Sequence, residues 1–116
     1  MEKTVAPPEV EKKKRDELEP LYNVVLLDDD DHTYDYVIEM LQKLFLCTES
    51  DAFRHAVEVD TSGRTVVITC RLAEAEFGRD QIRAYGPDWR MPKSKGSMRA
   101  IVEPAGTGPR LREPAN

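Results

Sequence analysis

The sequence lacks the long apolar run of about 18 residues that a membrane span needs, so no membrane partner is expected. Its first twenty residues, MEKTVAPPEVEKKKRDELEP, have no apolar core of the kind a secretory signal carries, and the expectation is a cytoplasmic protein. Cysteine is scarce. Cys47 and Cys70 have neither metal-ligand spacing nor an export signal to go with them, so reduced thiols are expected, with Cys70 a buried structural one. There is no glycine-rich phosphate loop and no G-x-S-x-G. His32 and His55 belong to no shared motif, and His55 reads as a surface or edge residue. Phosphoryl transfer and nucleophilic catalysis both lose their support, and the chain is not expected to be an enzyme. Nor is there the basic excess of a nucleic-acid binder: the net charge is −5.

What the chain does have is 34% charged residues, unevenly placed. Residues 22–60 hold ten acids against two bases, whereas 61–116 hold six acids against ten bases. The acidic part is built around one stretch, YNVVLLDDDDHTYDYVIEML, in which Val24–Leu27 leads straight into Asp28–Asp31. Adjacent carboxylates repel. The dipole of a helix starting just after them offsets part of that repulsion, and Asp31, His32 or Thr33 can cap it. The remainder of the run invites a cation. Asp28, Asp30, His32 and Glu39 fall at positions 1, 3, 5 and 12 of a calcium-loop window, but Thr33 stands where the sharp-turn glycine belongs. A dedicated metal site or other cofactor is therefore not expected. A positively charged group of a partner, such as a peptide ammonium, suits carboxylates beside an apolar helix face.

Residues 1–20 are rich in Pro, Glu and Lys and read as a flexible arm; 106–116 read as a disordered tail. Between them, 21–105 form one domain. Tyr22–Leu27 reads as a buried strand. Tyr36, Val37, Met40, Leu41, Leu44 and Phe45 mark the face of a first helix. Glu49–Val59 reads as a second helix with Ala52, Phe53, Ala56 and Val57 on its apolar face, followed by a turn at Asp60–Arg64. Thr65–Arg71 is a strand, Leu72–Tyr85 a third helix, Gly86–Ser97 a long polar loop and Met98–Glu103 a last strand. The order β-α-α-β-α-β predicts an α+β two-layer sandwich, three helices on a three-stranded antiparallel sheet.

The opening stretch resembles the start of ClpS, the adaptor family of the Clp protease. That family reads Y-x-V-x-L-x-N-D-D-Y-T-P-M-x-F-V-x-x-V-L and later V-H-x-x-G. Tyr22, Val24, Leu26, Asp29, Asp30, Val37, Leu41, Phe45, Ala52, Val59 and Gly63 match, and SMRAIVEPA is similar to the family's last strand. The resemblance implies a non-enzymatic adaptor. It would bind N-terminal degradation signals (a free α-amino group with a bulky apolar first residue) and pass the bearers to a ClpA- or ClpC-like AAA+ unfoldase with its peptidase. It places Asp28, Asp29 and Asp60 at the α-amino group. It places Asp31, His32, Tyr34, Val37, Ala56, Val59 and Met98 at the first-residue pocket, and Ala75 and Glu76 toward the unfoldase. The departures lie at the site: Asp28 replaces an Asn, Asp60 a His, Tyr34 a Met and Ala56 a Met. They imply altered first-residue preference, or a ClpS-like domain that has lost N-terminal recognition and serves as an unfoldase regulator or interaction module.

Overall fold

The computed structural model describes residues 19–106. The expected arm up to residue 18 and the expected tail from 107 lie outside the described residues. Within them the order is β1 (Tyr22–Leu27), α1 (Tyr34–Phe45), α2 (Glu49–Ser62), β2 (Arg64–Cys70), α3 (Leu72–Arg83) and β3 (Ala100–Pro104). The sheet order is β2-β1-β3, with both pairings antiparallel. This is the expected α+β two-layer sandwich, with three helices on one three-stranded sheet.

The central place of β1 explains its unbroken apolar run. Val24 and Leu26 face the helices as part of the core. Val25 points the other way, yet it is also fully buried, because Val66 of β2 and Ile101 of β3 stand opposite it across the strands. The register of β1 with β2 slips between Val24 and Val25.

The helix face read for α1 is the buried one: Tyr36, Val37, Met40 and Leu41 are its innermost residues. Thr33 is the cap, its hydroxyl accepting from Tyr36 N at 3.1 Å. At the other end Leu46 takes the left-handed conformation, φ 57°, although it is not glycine.

The face of α2 is rotated from the expected one. Ala52, His55, Ala56 and Val59 are buried, while Phe53 is half exposed. The small alanines let α2 lie close on its neighbours, and His55 goes inward because Thr65 of β2 offers it a partner at 2.8 Å. The expectation of a surface His55 is therefore corrected. So is the turn at Asp60: the helix runs on through Ser62 and ends at Gly63, whose φ of 86° suits a residue without Cβ. Helix α3 stops at Arg83, two residues early, and its guanidinium donates to Ala100 O at 2.9 and 3.1 Å, fastening the helix to β3. Cys47 and Cys70 are free and half-buried, so Cys70 is less enclosed than expected.

Candidate functional site

Three chain segments converge where β1 ends. Asp28 N donates to Gly63 O at 3.0 Å, Leu27 N donates to Arg99 O at 3.0 Å, and the Arg99 guanidinium returns a bond to Asp28 O at 3.0 Å. The end of β1, the end of α2 and the approach to β3 are thereby locked around one recess of about 50 Å³. Carboxylates of Asp28, Asp29 and Asp60 stand on its rim with Tyr34, His32 and Thr33; Val37, Ala56, Val59 and Met98 supply its apolar lining.

The four aspartates do four different things. Asp28 lines the recess. Burial raises its carboxyl above the ordinary range; the Asp29 N–H pulls it back down, and the charges of Asp60, Asp29 and Asp30 push it up again. Asp29 lines the recess too, and its Oδ1 accepts from Asp31 N at 2.9 Å and lies 2.7 Å from His32 Nδ1. Asp30 is exposed. Asp31, expected in the pocket, is not among the lining residues; its carboxylate lies 3.7 Å from Lys93 Nζ. The reason is local. The turn that Asp29 holds swings Asp31 outward, toward the basic loop.

Tyr34 closes the recess. Its hydroxyl donates to Asp60 Oδ2 at 2.6 Å, joining the first turn of α1 to the last turn of α2, and this bond pushes the phenol up. The ring also stands edge-on to Phe53, centroids 6.1 Å apart. Tyr34 and Ala56 line the same recess. At about 50 Å³ the recess, with the Tyr34–Asp60 bond in place, is well short of the roughly 150 Å³ cavity that admits a benzene-sized group.

The long loop before β3 supplies what sequence reasoning missed. Asp88 is buried, and its carboxylate accepts from Thr33 N at 2.7 Å, Thr33 Oγ1 at 2.8 Å, Arg90 N at 3.0 Å and Arg90 Nη1 at 3.1 Å. Burial alone would push its carboxyl up; these bonds outweigh burial and hold it below the usual range. Only the run Gly-Pro-Asp, a turn signal, hinted at it. Thr33, not assigned to the pocket from the sequence, lines it. On α3, Ala75 is fully buried and cannot face a partner; Glu76 is exposed, with Phe77 and Leu72 also outward. Among the described residues no group of three or more His, Cys, Asp or Glu stands close enough to hold a metal ion. No helix among them is long and apolar enough to cross a membrane.

A helical hairpin and a third helix on a three-stranded sheet, with an acid-rimmed recess where β1 ends, define a small α+β domain. The family model described as ATP-dependent Clp protease adaptor protein ClpS matches residues 17–92, and the chain belongs to that family of adaptors. It is 33% identical over 84 residues to the ATP-dependent Clp protease adapter protein ClpS of Synechococcus sp., covering 72% of this chain and 90% of that one. It is 30% identical over 79 residues to human E3 ubiquitin-protein ligase UBR1, covering 68% of this chain and 4% of that one. Among solved structures it is similar to Agrobacterium tumefaciens ClpS2 bound to L-phenylalaninamide, with a TM-score of 0.63 and 25% identity over 73% of this chain and 96% of that one.

Proposed function

We propose that this adaptor binds the free N-terminus of a protein or peptide whose first residue is bulky and apolar, and delivers it to a Clp-family AAA+ unfoldase of the ClpA or ClpC kind in the cytoplasm. The observation that carries this reading is the recess itself. Asp28, Asp29 and Asp60 rim a cavity lined by Val37, Ala56, Val59 and Met98. A first residue carries the complement, a cation joined through one carbon to an apolar side chain. Charge-assisted hydrogen bonds to that cation contribute about 1.5–3 kcal/mol each where the geometry is good. L-phenylalaninamide, bound by the similar ClpS2, has the same two groups.

Entry of a bulky side chain requires Tyr34 to leave Asp60. The ammonium then takes the place of the phenol as Asp60's partner. With Ala56 beneath, the opened recess is wider at its floor than one holding a methionine there. Branched and long first residues are accommodated alongside the ordinary aromatic ones.

The Tyr34–Asp60 bond also favours a second reading, in which the recess stays shut and the domain regulates an unfoldase or binds other proteins without reading N-termini. Fluorescence anisotropy separates the two. Labelled peptides differing only in a first residue of Leu, Phe, Val or Arg are titrated, with N-acetylated Leu as control. Selective binding that acetylation abolishes supports N-terminal recognition; no binding to any free N-terminus leaves the second reading.

A further inference from the structure

The loop from Gly86 to Ser97 is folded rather than merely long. Gly86 N donates to Ser97 Oγ at 2.6 Å, clasping its two ends, and Asp88 N donates to Ser94 Oγ at 2.9 Å across its middle. Met91 N donates to Asp88 O and Ser94 N to Met91 O, both at 3.0 Å, so two successive turns fill the interior. This unit docks on the segment that carries the recess through several hydrogen bonds, besides the Lys93–Asp31 pair. Tyr36 Oη donates to Gly86 O at 2.6 Å, Asp88 takes both donors of Thr33, and His32 Nε2 lies 2.7 Å from Gly96 O. The His32 side chain, 3% exposed, is therefore held from both ends, by Asp29 and by the loop. The family match stops at residue 92, inside this loop.

A connection between a helix and a strand has no need of a buried carboxylate. Thr33 already caps α1 through its own hydroxyl. Burying a charge is costly unless every lone pair is used, and here four donors use them. Such a network holds one arrangement and no other. The residues it fixes are Thr33 and, on either side of it, His32 and Tyr34, all three of which line the recess. Arg90 extends the brace to α1, its Nη2 donating to Glu39 Oε1 at 2.7 Å.

We infer that Asp88 is a positioning residue for recognition of the peptide N-terminus: it sets Thr33, and through Thr33 the orientation of His32 and Tyr34, so that the Gly86–Ser97 loop supports the lining of the recess from behind without entering it. This rests on the recognition reading above. Asp88 touches no peptide itself.

The test compares Asp88→Asn with Lys95→Ala, an exposed position on the same loop outside the network. Asparagine keeps the shape but turns an amide N–H₂ toward one set of donors. Three readouts are taken on the full chain: anisotropy with a Leu-first peptide, the thermal melt, and the ring ¹⁵N signals of His32 in the free protein. The expected result for Asp88→Asn is a loss of at least about tenfold in affinity, the factor for a buried donor left unpaired, in a protein still folded at the assay temperature. Its His32 ring signals move. Lys95→Ala binds as the parent does, with unmoved signals. Affinity within about twofold for Asp88→Asn, or unmoved His32 signals, overturns the proposal and leaves the loop a brace. If Asp88→Asn does not fold, Arg90→Met removes one of the four bonds from outside the recess; a loss of about threefold is expected, and an unchanged affinity overturns the proposal. The parent chain is titrated first. Its failure to bind any free N-terminus sinks the recognition reading, and Asp88's positioning role with it, whereas parental binding that survives Asp88→Asn sinks the positioning role alone.

Discussion

The Tyr34 hydroxyl and the Asp60 carboxylate meet at 2.6 Å across the mouth of the recess. The sequence separates them by most of a helical hairpin, and their bond is what joins its two open ends above Ala56. On the proposed recognition, the phenol is the partner that an incoming ammonium displaces. Tyr34→Phe removes the donor and keeps the ring against Phe53. Affinity for a free-amine peptide is expected to rise about threefold, because the hydroxyl no longer competes for Asp60. Because the pair is exposed, the melting temperature is expected to stay within about 2 °C. Isothermal titration and a thermal melt check both.

On the proposed recognition, Asp28 is expected to give binding an acid limb. Its carboxyl is raised in the free protein, and a bound ammonium favours its charged form. Binding in mildly acidic buffer is therefore expected to release a proton, and affinity to fall as pH falls through the raised carboxylate range. Above about pH 8 the peptide amine itself loses charge, and affinity falls again. Titrations in two buffers of different ionisation enthalpy measure the released proton. Asp28→Asn is expected to flatten the acid limb only.

His55 makes folding sensitive to mild acid. Burial lowers its folded-state ionisation below the ordinary imidazole value, with the Arg54 charge adding to the effect and Glu58 and Asp51 opposing it. The unfolded chain then binds the proton more readily than the folded one. Stability is full above about pH 6.5 and is lost as pH falls from there through the lowered folded value. Urea titrations at pH 7.5 and 5.5 are expected to differ, and His55→Asn, which keeps a donor for Thr65, is expected to narrow the difference.

Leu46 ends α1 in a left-handed conformation with its side chain 87% exposed, so the strained residue buries almost nothing in return. Leu46→Gly is expected to stabilise the domain by about 0.5–1 kcal/mol. Gly78 is the opposite case. A Cβ there would meet the Phe45 ring at 3.1 Å and Ile68 Cδ1 at 3.6 Å. Alanine gains about 1 kcal/mol of helix propensity and spends most of it displacing Phe45, so a near-neutral change is expected. Valine, too large for the gap, is expected to lose about 1–3 kcal/mol. Chemical denaturation measures all three.

Residue spacing alone was enough to read β1 and α1, because their burial follows from local patterns. Val24–Leu27 is apolar on both faces and central, and Tyr36, Val37, Met40 and Leu41 repeat at helical spacing. Asp28, Asp29 and Asp60 were grouped through the resemblance to the ClpS pattern and not by spacing; the structure brings all three to one recess. What was hidden depended on long-range partners. Asp60-Thr-Ser-Gly reads as a turn, yet the helix continues through it. Phe53 looks like core until the two alanines of α2 turn its face toward Thr65. Beyond the turn signal of Gly-Pro-Asp, nothing local marks Asp88: its meaning comes from Thr33, 55 residues earlier in the chain. Asp31 shows the converse. The resemblance placed it in the pocket, and a turn of two residues points it at Lys93.

The sheet order β2-β1-β3 has a consequence in time. The strand made first lies in the middle, and the strand made last closes its second edge. Asp28 and Asp29 leave the ribosome early, but Met98, Arg99 and the docked loop that complete their surroundings emerge only just ahead of β3. A nascent chain halted before residue 98 carries the acids without the recess. The lining of the recess is therefore complete only once the chain has been made as far as the approach to β3.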